Sequence, residues 1–176
     1  MKRSISLWQL IGFAFTSLAG TLLHFLYDWT GQSIFAAPFS GVNESTWEHM
    51  KLLFWPMFLF SLLERRLFPE YKNFWCVKLV GILVGLTLIP VLFYTLNGVF
   101  GETPDRVNIS IFFVAAAVAY LLEARLFKKE SLTCRSPWHA FLAICLIAVS
   151  FVLFTFRTPE LPIFEDPITG RYGLQS

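Results

Sequence analysis

The residues with the greatest capacity for chemistry crowd into one stretch, Asn43-Glu44-Ser45-Thr46-Trp47-Glu48-His49-Met50-Lys51. Two carboxylates, an imidazole, an ammonium and an amide stand there directly ahead of an apolar run at 52–63. Upstream, His24 and Asp28 are four apart at the end of another apolar run, and on a helix that spacing gives them one face. Charges set among long apolar runs are costly unless they are paired or put to use. Histidine with carboxylates is the donor set of a zinc site with three protein ligands and a water. The same groups move protons near neutral pH. The sequence therefore predicts one polar site. His24, Asp28, Glu44, Glu48 and His49 are its expected ligands for a divalent ion, zinc foremost. Glu48, His49 and Asp28 are the expected acid–base groups, and Asn43, Trp47, Lys51 and the distant Arg171 the expected substrate contacts.

Plainer readings of the same residues compete. Ser45 and Glu48 fit a capping box, S-x-x-E, in which each side chain meets the other's backbone N–H. Asp28 and His24 can serve simply to tie a helix to the following loop. There is no HExxH and no second histidine four residues from His49, so no established metal motif is present. Three functions follow from these residues: a metal-dependent hydrolase acting on a lipid or small amphiphile, a proton- or cation-coupled transporter, and an accessory protein with a purely structural clamp.

The elements that must position this site are membrane helices. Of 176 residues, 56% are hydrophobic, 18% aromatic and only 15% charged, with a mean hydropathy of +0.60. A soluble fold this small leaves too much surface exposed to hide so much apolar area. Apolar runs long enough for a hydrocarbon core about 30 Å thick predict an all-α integral membrane protein, a single transmembrane domain of five helices. They are expected at about 7–27, 46–63, 74–96, 107–122 and 138–156, with Pro56 and Pro90 as kinks and a tail at 157–176. The basic start followed by an apolar run resembles a signal peptide, but no small-residue cleavage site follows, so it reads as the first helix. Gly81 and Gly85 offer a small-xxx-small packing face.

Lysine and arginine asymmetry sets the orientation. Lys2, Arg3, Arg65, Arg66, Lys72, Lys78, Arg125, Lys128, Lys129 and Arg135 fall on one side, against Lys51, Arg106, Arg157 and Arg171 on the other. The N-terminus is thus expected in the cytoplasm, and the polar site and the tail outside, in a bacterial inner membrane. Eight of the 12 acids share the outer side, Glu102 and Asp105 among them. The expected partners are membrane lipids, with a homo-oligomer if the chain forms a transport pathway. No basic, aromatic-interleaved patch suggests nucleic acid. Cys76, Cys134 and Cys145 show no CxxC or metal spacing, and no disulfide is expected.

Two longer patterns remain. Leu62-Leu63-Glu64-Arg65-Arg66-Leu67-Phe68 recurs as Leu121-Leu122-Glu123-Ala124-Arg125-Leu126-Phe127, identical at six of seven positions. This suggests that helices two and three duplicate helices four and five as hairpins. The Glu48-His49 pair has no equivalent in the second copy, where Val107 and Asn108 stand. In the tail, Asp166-Pro167-Ile168-Thr169-Gly170 is turn chemistry, and a lid that brings Arg171 to Glu44 or Glu48 is one expectation.

His24-Phe25-x-Tyr27-Asp28-Trp29-x-Gly31, Val42-Asn43-Glu44-Ser45-x-Trp47-Glu48-His49-x-Lys51 and Asp166-Pro167-x-Thr169-Gly170-x-Tyr172-Gly173 together resemble an uncharacterised family of small bacterial multi-pass membrane proteins. The resemblance covers nearly the whole chain and implies no particular activity. Membrane hydrolases related to the alkaline ceramidases, which set an Asp and three His around zinc, compare only in chemistry, because their late HxxxH is missing here.

Overall fold

The computed structural model describes residues 4–101, 103–129 and 132–174. Lys2, Arg3 and Glu102, which enter the charge count above, lie outside the described residues, as does the side chain of Asp105. Five helices follow one another where the hydropathy places them: α1 (Ile5–Trp29), α2 (Thr46–Leu67), α3 (Phe74–Phe100), α4 (Asp105–Lys129) and α5 (Pro137–Phe156), then a 3-10 turn at Pro162–Phe164. The first four outrun their apolar stretches by a few residues, and α5 by one. Long basic side chains such as Arg66, Lys128 and Lys129, all exposed, let a helix continue while their charges reach outward. α2 and α3 run unbroken through Pro56 and Pro90.

Four helices, α1, α3, α4 and α5, are long and apolar enough to cross a membrane. α2 differs, because its 22 residues carry Glu48, Lys51, Glu64, Arg65 and Arg66. Its surroundings explain the tolerance. Every residue from 51 to 57 is buried, and α2 packs against all four other helices. Where protein covers it, the helix answers to its neighbours rather than to lipid. α1 and α5 instead turn stripes of large apolar side chains outward: Leu7, Leu18 and Leu22 on one, Leu142, Leu146 and Leu153 on the other. Each such side chain is worth about 1.5–3 kcal/mol when removed from water, so this surface suits lipid. Gly81 and Gly85 do form a close-packing face. A Cβ on Gly85 would stand 2.9 Å from Leu53 and 3.3 Å from the Ala119 Cβ, and one on Gly81 would run into the Glu123 carboxylate.

At the end of the bundle where α2 and α4 finish, the repeated heptapeptides meet. Lys78 on α3 pairs with Glu64 and with Glu123, the latter at 2.6 Å. Gln9 on α1 donates to Glu64 at 2.6 Å and accepts from Lys78 at 3.4 Å. All four side chains are buried. The closing phenylalanines of the two copies, Phe68 and Phe127, share a small core with Phe74 and Val77. Glu64 and Glu123 thus converge on one lysine.

Cys76 and Cys134 form a disulfide, against the expectation of none. They lie 58 residues apart, but Cys76 is in the first turn of α3 and Cys134 follows the end of α4. Packing of those two helices as neighbours brings their Cα atoms to 5.8 Å, within disulfide reach. No local spacing can announce a pair made by two helix ends. Cys145 is free.

Candidate functional site

The segment between α1 and α2 folds down into the bundle, burying Ala36, Ala37 and Ser40. Its backbone polar groups need partners there, and one face of α2 supplies them. Val42 N–H donates to Glu48 at 2.9 Å, Lys51 donates to the Ala37 carbonyl at 2.8 Å, and Trp55 donates to the Pro38 carbonyl at 2.9 Å. Lys51 also meets Glu48 at 2.6 Å and the Thr155 hydroxyl of α5 at 3.0 Å. An ammonium has three donors, and all three are used. Glu48 and Lys51 are therefore a buried clamp that binds the loop, α2 and α5 together. The capping box is only half made: Glu48 N–H donates to Ser45 Oγ at 3.4 Å, but the Glu48 carboxylate takes Val42, and Ser45 N–H goes to Asn43 Oδ1 at 2.9 Å.

His49, the next residue after Glu48, points elsewhere. Its Nε2 lies 3.5 Å from Glu44 Oε2, and His24 Nε2 lies 3.6 Å from Glu44 Oε1. One ligand atom from each of the three residues falls within 4.8 Å of the other two. Ligands about 2.0–2.1 Å from a tetrahedral zinc stand about 3.3 Å from each other, and the two His–Glu separations already lie near that value. His49 Nδ1 is 2.9 Å from the Ser45 carbonyl. A carbonyl only accepts, so Nδ1 carries the proton and the Nε2 lone pair is left free for a ligand. His24 and His49 rings stand 5.7 Å apart. Each of the three side chains is partly exposed, which leaves the cluster accessible.

The cluster opens on a cavity of about 430 Å³. Thr46 and Asn108 add polar groups to its wall; Phe25, Leu52, Phe93 and Phe112 make it apolar. The tail roofs it. Pro167 and Ile168 line the cavity, on a turn where Asp166 accepts from Ile168 N–H at 2.8 Å and from the Thr169 hydroxyl at 2.9 Å. Phe164 packs on Trp47, ring centres 4.7 Å apart, and Asn43 Nδ2 donates to the Gly173 carbonyl at 3.1 Å.

The predicted residues thus divide into groups. His24, Glu44 and His49 come together at the cavity. Glu48 and Lys51 form the clamp behind it, while Asn43 and Trp47 hold the tail. Asp28 is exposed at the end of α1 and is no member of the ligand group. Arg171 is exposed and, among the described residues, forms no ion pair; Glu44 is met by the two histidines and Glu48 by Lys51. Sequence reasoning missed Trp55 and Thr155 in the clamp and Asn108 in the cavity wall. Asn108 carried a signal: it is the position that answers His49 across the repeat, and the two line the same cavity.

Fold and site together define an all-helical, membrane-like protein with a His/Glu cluster over an apolar cavity. The chain belongs to a family of unknown function, DUF6512, whose model matches residues 1–174. No curated protein and no solved structure matches it.

Proposed function

We propose that this protein is a membrane-embedded, metal-dependent hydrolase acting on a lipid or small amphiphile. The orientation of His49 carries the reading: Nδ1 is held by the Ser45 carbonyl, and Nε2 turns with His24 onto the two oxygens of Glu44. Two histidines and a glutamate are a donor set that zinc hydrolases use. A zinc ion held by His24, Glu44 and His49 supplies Lewis acidity and an activated water. The chain's own groups do the rest. Thr46 and Asn108 stand on the wall to orient a polar head, the apolar lining excludes bulk water, and the Pro167–Ile168 turn covers the mouth. In hydrolysis the water oxygen joins the acyl carbon and the leaving group departs with a proton. Basic residues gathered at the opposite end support an N-terminus inside a bacterial inner membrane and a cavity facing outward.

The test is turnover in lipid nanodiscs on a panel of acyl esters and amides. Activity that a chelator removes, zinc restores and His49→Ala lacks is the expected result. Turnover that survives His49→Ala, or none from a zinc-loaded protein, contradicts it.

A further inference from the structure

The cavity is graded along its depth. Its mouth holds His24, Glu44, Thr46, His49 and Asn108. One turn deeper on each helix the lining is apolar or bare: Gly20 below His24, Leu52 below His49, Ile89 below Phe93, Phe112 below Asn108. One turn is about 5.4 Å, whereas an acyl chain filling one leaflet of a core about 30 Å thick runs roughly 15 Å. A fully extended bilayer lipid chain is longer than that depth.

The floor is sealed. A Cβ on Gly20 would lie 2.5 Å from Phe112 Cζ and 2.8 Å from the Leu52 carbonyl oxygen, so ring and backbone already touch there. Beneath it the seam between α1 and α4 stays shut. Thr16 and Tyr120 share a hydrogen bond of 2.8 Å, and Gly12 lies against Tyr120 and Phe60. The rim is apolar and exposed, with Phe25 at 44% and Ile109 at 58%, which suits entry of an alkyl chain from the membrane rather than from water.

We infer that the cavity binds a single short alkyl chain, its polar head at His24, Glu44 and His49 and its end against a floor formed by Gly20 and Phe112. This deepens the proposed function and rests on it for the headgroup chemistry alone. Gly20 and Phe112 set the chain length, because a methylene beyond the floor has no apolar space to enter.

Two probe series test it on the full-length protein in nanodiscs by calorimetry: linear alkyl hydroxamates, which chelate zinc, and linear alkyl carboxamides, which do not. Both run from butyl to dodecyl. Affinity is expected to rise about fourfold per added methylene and then stop rising at one chain length in both series. Phe112→Leu moves that limit to longer chains. Gly20→Ala, if it folds, moves it to shorter ones. A limit shared by both series upholds the inference even if no metal binds. Affinity that climbs evenly to dodecyl, the same in wild type and Phe112→Leu, is simple partitioning and overturns it, even with zinc in the site.

Discussion

Glu48 and His49 are neighbours on α2, and successive side chains leave a helix about 100° apart. That angle is enough to send one carboxylate into the clamp and one imidazole into the cavity. The two should therefore respond differently to substitution. Glu48→Gln strands the Lys51 ammonium in a buried site, and breaking one partner of a buried pair costs about 3–5 kcal/mol. It is expected to lower the melting temperature markedly while metal content holds. His49→Ala removes a partly exposed ligand and should leave melting nearly unchanged while metal is lost. The reverse pattern, with Glu48→Gln silent in stability and His49→Ala unfolding the protein, would dissolve the distinction. Metal occupancy should also fall as the pH is lowered, because histidine ligates only when neutral; zinc retained unchanged until acid unfolds the protein would point to ligands other than histidine.

At the scale of elements, the five helices were legible because each carries a long apolar run, and lipid imposes a length on such runs. The character of α2 was not. Hydropathy sees that a helix is apolar, not whether protein or lipid covers each face, and α2 keeps Glu48, Lys51 and Glu64 because its neighbours bury them. The polar cluster was legible as a stretch, but its division was hidden. Glu48 reads as a site residue until the buried loop carbonyls and amides that need α2 are seen. The convergence of Glu64 and Glu123 on Lys78 was half visible in the repeated heptapeptide, whereas nothing local named the lysine. That cluster yields its own prediction. Lys78→Met leaves two buried carboxylates without their cation and should destabilise by about 3–5 kcal/mol. Adding Glu64→Gln and Glu123→Gln to it should recover part of the loss, as measured by thermal melting in detergent. If the triple variant is no more stable than Lys78→Met alone, charge is not the source of the effect.

Over the whole molecule, two features bear on orientation. Basic residues cluster at the end where α2 and α4 finish, which favours the cytoplasm for that end; the Cys76–Cys134 disulfide lies at the same end, and disulfides persist in oxidising compartments. The proposed orientation makes a clear prediction: in cells the Cys76–Cys134 disulfide faces a reducing compartment that opens it, so rapid alkylation before lysis labels both cysteines. Cysteines that resist alkylation until a reductant is added would place this end outside and reverse the topology. The central claim, that His24, Glu44 and His49 hold a metal ion, is tested most directly by elemental analysis of the purified full-length protein in chelator-free buffer, beside a His24→Ala/His49→Ala double variant of equal melting temperature. About one zinc per chain in the first and none in the second is the predicted result. Metal absent from both, or equal in both, would contradict it.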